Sequence, residues 1–238
     1  MDAKQSAFSG RMWMVLKLVS AFCVALLVSG CDGSNSSPVG ISNETGYEIR
    51  RLTDNLGIDE SPSWSPDGRS IAFFSKRDDN EDIYVMDASG DNLRNLTNHI
   101  GDNNDPSWSP DGHTIAFASD RDGTSGDIYV MDADGGNVRR LTNHTSQDGD
   151  PSWSPDGRSI AFFSLRDSDP AIEGINPEIY VMDADGDNVR RLTSHNAWDF
   201  APSWSPDSRF VVFYSNRGDN RDVYVTEVFG RSNRGRRP

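Results

Sequence analysis

Cysteine is almost missing from this chain, with two in 238 residues, Cys23 and Cys31. Both lie near the N-terminus, so the rest can build neither a disulfide framework nor a thiolate metal cluster. Basic charge is also short: 23 Lys and Arg stand against 37 Asp and Glu, a formal net charge of −14. Such a surface repels phosphates, which excludes a nucleic-acid partner. Its one basic cluster is Arg231, Arg234, Arg236 and Arg237, read as a disordered tail over residues 230–238. Long apolar runs are absent too. The longest, Leu18–Val28, has 11 residues, where a bilayer span needs about 20. Enzyme signatures are likewise missing: there is no Gly-x-Ser-x-Gly, no His-Glu-x-x-His, no phosphate-binding glycine loop and no dinucleotide fingerprint. No catalytic residue is expected, and the chain reads as a non-enzyme.

The front of the chain reads as an export signal. Lys4, Arg11 and Lys17 precede the apolar run, and small residues follow in Leu27-Val-Ser-Gly-Cys31. This ending resembles the lipobox of bacterial lipoproteins, which implies cleavage after residue 30 and lipid attachment at Cys31. Losing residues 1–30 moves the net charge from −14 to −16, because Lys4, Arg11 and Lys17 leave with Asp2. Residues 31–46, rich in Ser, Asn and Gly, are expected to form a flexible tether from the membrane.

What the chain does have is a phrase repeated four times: Pro62–Gly68, Pro106–Gly112, Pro151–Gly157 and Pro202–Ser208, with tryptophans at 64, 108, 153 and 204. Spacings of 44, 45 and 51 residues mark supersecondary units that bury their faces only by stacking on one another. Each repeat holds four strand signals. The Pro-Ser-Trp-Ser segment leads into a Ser-Pro-Asp-Gly turn. A continuously apolar strand follows (Ile71–Ser75, Ile115–Ser119, Ile160–Ser164, Val211–Ser215), then Ile83–Met86 and its copies at 128, 179 and 223. A turn at Asp87–Gly90, Asp132–Gly135 or Asp183–Gly186 leads to the fourth strand, at Leu93–Thr97, Val138–Thr142 and Val189–Thr193. The last repeat lacks a fourth strand, while Ile49–Thr53 is a fourth-strand copy without a blade. The expected fold is therefore all-β: a β-propeller over residues 47–229, four blades of four antiparallel strands, closed by the N-terminal strand pairing with Val223–Thr226, the competing arrangement being an open four-blade arc that completes a larger ring by oligomerising.

The phrases PSWSPDG, IAFxS, RDG or RDxN, IYVMDADG and RRLT resemble the WD-like propeller repeats of the TolB family, here in a lipoprotein form. Similar repeats occur in propellers of prolyl-oligopeptidase-type peptidases and of oligogalacturonate lyases. The TolB resemblance, roughly over residues 47–229, implies a non-catalytic interaction scaffold in the bacterial envelope, periplasmic or cell-surface. It would be tied to the membrane by its lipid, with an envelope protein or cell-wall component as partner. The other resemblances imply alternatives, a metal-dependent carbohydrate lyase or the propeller part of a peptidase.

Three sets of residues are candidates for ligand or partner contact. His99, His144 and His195 each follow the repeat threonine by two residues, with Asn55 at the matching place in the first copy. The lyase resemblance implies a metal role for them; the plainer reading is a polar cap at each blade junction. Asp59, Asn103, Asp148 and Asp199 each precede the repeat proline by three residues. Surrounding one channel mouth, they form a candidate Ca²⁺ set of hard oxygen ligands; the plainer reading is that each caps its own loop. No other cofactor is expected. The third repeat is longer by an insertion within residues 167–177, where Ile172 and Ile175 are candidate contacts in an acidic loop.

Overall fold

A computed structural model describes residues 41–42, 48–78, 80–123, 125–168, 176–218 and 220–228. The export signal, Cys31, most of the tether, Ile172, Ile175 and the basic tail lie outside the described residues. The chain divides into two units, Met1–Arg51 and Leu52–Pro238. In the first, β1 (Ile41–Ser42) pairs with β2 (Glu48–Ile49), with Ile41 opposite Ile49.

The second unit is built of antiparallel sheets. The first is β3 (Asp59–Trp64), β4 (Ser70–Ser75), β5 (Asp82–Asp87) and β6 (Arg94–Asn95); the second is β7 (Asn103–Trp108), β8 (Thr114–Ser119), β9 (Asp127–Asp132) and β10 (Arg139–Arg140). The third is β11 (Asp148–Trp153), β12 (Ser159–Ser164), β13 (Glu178–Asp183) and β14 (Arg190–Arg191); the fourth is β15 (Asp199–Trp204), β16 (Phe210–Ser215) and β17 (Asp222–Glu227). This is a four-bladed β-propeller, as the repeat requires.

The turns form for local reasons. In Ser-Pro-Asp-Gly, Ser65 Oγ donates to Asp67 Oδ1 at 2.6 Å and accepts from Ser70 N at 2.9 Å. Asp67 also accepts from Arg69 N, and Gly68 takes φ +69°, a left-handed conformation that costs glycine little. The same network recurs around Ser109, Ser154 and Ser205. The middle strands of the second and third blades are apolar on both faces because neighbouring blades cover both. Ala72, Phe74, Ile83 and Val85 of the first blade pack against Ile115, Phe117, Tyr129 and Met131 of the second. Their counterparts join the second blade to the third. Each such aliphatic or aromatic side chain contributes about 1.5–3 kcal/mol by leaving water.

Every inner strand carries a bulge that repeat spacing did not announce. Register slips between Glu60 and Ser63, and likewise in β7, β11 and β15. Ser61, Asp105, Asp150 and Ala201 adopt φ of 49–53° at these slips. Each precedes the repeat proline, which has no N–H for the ladder, so the strand bends where pairing would fail.

The segment 49–53 corrects one expectation. It does not add a fourth strand to the last blade: Ile49 pairs with Ile41, and the last sheet ends at β17. Leu52 packs on Ile71, Phe73, Tyr84 and Met86 of the first blade, as Leu96 packs toward the second.

Candidate functional site

Asp59, Asn103, Asp148 and Asp199 open the four inner strands, and each meets an arginine of its own blade. Nη2 of Arg77, Arg121, Arg166 and Arg217 donates to them at 3.2, 2.8, 2.9 and 2.6 Å. Each arginine is fixed twice more. Its Nε donates to the serine two residues earlier, Ser75, Ser119, Ser164 or Ser215. Its guanidinium lies over a Phe–Tyr pair, as Arg77 does 5.5 Å from Phe73 and 4.7 Å from Tyr84. This set is thus partnered by fixed cations, which neither the Ca²⁺ nor the loop-cap reading included, while Asn103 also donates to Gly101 O of its own loop at 2.8 Å. The available signal was an arginine recurring two residues after each strand-ending serine.

The environment splits this set. Burial pushes the Asp148 carboxyl up against the opposing pull of Arg166. At Asp59 burial also acts upward, but bonds from Ser75, Thr53 and Asn55 together with Arg77 outweigh it and hold the carboxyl below its usual value. Behind them, Tyr84 is pushed up to about 12, by burial first and then by the bond it donates to Asp78. Tyr129 and Tyr180 are raised further for the same reasons, with Asp122 and Asp167 as acceptors.

The histidines sit on junction loops that a second set of acids ties down. Asp82 accepts from Thr97 Oγ1 at 2.7 Å and Asn95 Nδ2 at 3.0 Å. Asp127 accepts from Arg140 and Thr142, and Glu178 from Arg191 and Thr193. The backbone N–H groups of His144 and His195 donate into these same carboxylates. The carbonyls of His99 and His195 accept from Asn80 and Asn176. The rings act locally: His99 Nδ1 meets Ile100 O at 2.7 Å, and His144 Nδ1 accepts from Ser146 N at 3.1 Å. Among the described residues no three His, Cys, Asp or Glu side chains come together as a metal site.

Next to these latches the junction loops expose large apolar side chains. Leu56 and Ile100 are almost fully exposed, and Ile58 and Trp198 substantially so. All four lie one or three residues before an inner strand begins, so they share one end of the blades. Sequence reading passed them over because isolated apolar loop residues carry no periodicity.

Comparison with known proteins follows the repeat. A family profile described as TolB beta propeller domain matches residues 36–126. The matched residues take in the first blade and the start of the second, so this part of the chain is similar to TolB propeller repeats. A second profile, described as Tricorn protease N-terminal beta propeller domain, matches residues 87–176. The Tol-Pal system protein TolB of Desulfosudis oleivorans is 40% identical over 51 residues, 21% of this chain and 12% of that protein. Its namesake in Syntrophus aciditrophicus is 38% identical over 67 residues, 28% of this chain and 15% of that protein. The chain therefore spans a small part of these relatives. The crystal structure of TolB from Acinetobacter baumannii aligns with a TM-score of 0.64 and 26% identity, over 77% of this chain and 44% of that one.

Proposed function

We propose that this chain is a lipid-anchored scaffold of the bacterial cell envelope that binds a protein partner and carries no catalytic centre. The observation that carries this is the end of the blades where Leu56, Ile58, Ile100 and Trp198 are exposed, the loops of Ile100 and Trp198 being held by the buried Asp82 and Glu178 and that of Leu56 by Asn55 and Asp59. Apolar groups on pre-ordered loops gain contact area on binding without a large ordering cost. The resemblance of the blades to TolB, named as a Tol-Pal system protein, supports an envelope protein or cell-wall component as partner. Cys31 would carry the lipid, and residues 31–46 would let the blades reach away from a periplasmic or cell-surface membrane face. The candidate set bonds to arginines, and this reading does not call on Ca²⁺.

The test is in-cell crosslinking of the full chain, comparing native protein with a Leu56→Asp, Ile100→Asp variant. Both positions are exposed, so folding should survive. The native chain is expected to yield a defined crosslink to one envelope component, at least about tenfold weaker in the variant, since lost interface anchors cost 1–2 kcal/mol or more. Equal yields, or no crosslink from either, would reject this surface as the partner site.

A further inference from the structure

In the first three blades the outer edge of the third strand is covered. Leu96 N donates to Ile83 O at 2.8 Å, Leu141 N to Ile128 O at 2.8 Å, and Leu192 N to Ile179 O at 2.7 Å. The equivalent residue in the last blade is Val223, and among the described residues no strand pairs with that edge of β17. Its side chains are uncovered as well. Ile83 and Val85 are 0% and 4% exposed, whereas Val223 and Val225 are 78% and 61% exposed. A bare β-branched edge of this kind is a template for another strand.

We propose that the last blade binds the last blade of a second copy, with β17 against β17, antiparallel, about a twofold axis at Tyr224. The backbone fixes which registers are open. Val223 occupies the place of Ile83, so Val223 and Val225 turn their N–H and C=O groups outward while Tyr224 turns inward, opposite Phe213 of β16. Centring the axis on Tyr224 sets Val223 opposite the partner's Val225, and the two valine pairs exchange four hydrogen bonds. Side-chain charge then selects this register. Arg221 falls opposite the partner's Glu227, and by symmetry Glu227 opposite the partner's Arg221, with the valine pairs between them on the same exposed face. Shifting the axis to Val223 sets Arg221 against Val225, and shifting it to Val225 carries Arg221 past Glu227, so either loses both ion pairs. Arg209 already approaches Glu227 at 3.4 Å, but that contact is exposed and leaves a carboxylate oxygen to share. Asp222 is exposed and would face Thr226, the acid–threonine chemistry that Asp82 and Thr97 use within the first blade. The interface is isologous and small, which fits a reversible dimer.

Sedimentation of the full chain in density-matched detergent, over about 10–200 µM, tests this in the range expected of a small interface. A monomer–dimer equilibrium is expected for the native chain. Arg221→Glu and Glu227→Arg, each placing two like-charge pairs across the axis, should weaken it about tenfold. The double variant R221E/E227R should restore it. Val225→Lys should give a monomer with an unchanged β-sheet circular dichroism spectrum. A monomer throughout the range, a dimer indifferent to the single reversals, or a double variant no better than the singles would each overturn the proposal.

Discussion

At the scale of single residues, the arginines near the inner strands carry more structural weight than the histidines. Arg166 holds Asp148, which is fully buried, and also bonds Ser164 and stacks on Phe162 and Tyr180. Arg166→Ala would strand a buried carboxylate at a cost of about 3–5 kcal/mol. Urea denaturation should show the midpoint falling with the slope unchanged. The turn aspartates predict the acid response. Asp67, Asp111, Asp156 and Asp207 are all held below the usual 3.8, first by a bond from the turn serine and then by backbone N–H bonds against slight burial. Depressed carboxylates stabilise the fold fully above their unfolded value and lose that contribution as pH drops through the folded values. Asp148, raised by burial, has the opposite sign, but it is one group against these four and Asp59. The melting temperature should therefore hold between pH 7 and 5 and decline below about 4. Asp111→Asn should cost about 1 kcal/mol at pH 7 and make that decline shallower. A native melting temperature indifferent to pH down to 3 would contradict the assignment.

At the scale of elements, the two glycine turns of a blade differ in what they tolerate. Gly68 has φ +69° and open space where a Cβ would stand, whereas Gly135 has φ +94° and Leu96 O only 2.8 Å from that point. Gly68→Ala should cost about 1 kcal/mol, the price of left-handed backbone alone. Gly135→Ala must also push the blade junction apart, so its melting temperature should fall at least twice as far. Strand positions, turns and the two-faced apolar middle strands were legible from the sequence because each rests on local chemistry repeated four times. The bulges at Ser61, Asp105, Asp150 and Ala201 were signalled only by the proline that follows them, a cue that reads equally as a turn.

For the whole molecule, identical positions have different worth depending on which blade they occupy. Val130 lies in the core between the second and third blades, while Val225 at the matching place is 61% exposed. Val130→Asp would bury an unpaired charge and should cost more than about 4 kcal/mol or prevent folding. Val225→Asp should leave the monomer's thermal unfolding within about 0.5 kcal/mol of native. Comparable losses from both would show that the last blade is covered in solution by its own chain.

The repeat by itself determined the strands, their order within a blade and the propeller class, because apolar spacing and turn chemistry act over a few residues. It could not say which strand the segment 49–53 would join, since its RRLT phrase suits any blade edge equally and pairing partners far apart in sequence leave no local signal. Nor could it say that the acids before each proline would be matched by arginines rather than left open to a cation. That pairing links residues 18 apart in sequence, and only the folded blade brings them within hydrogen-bond reach.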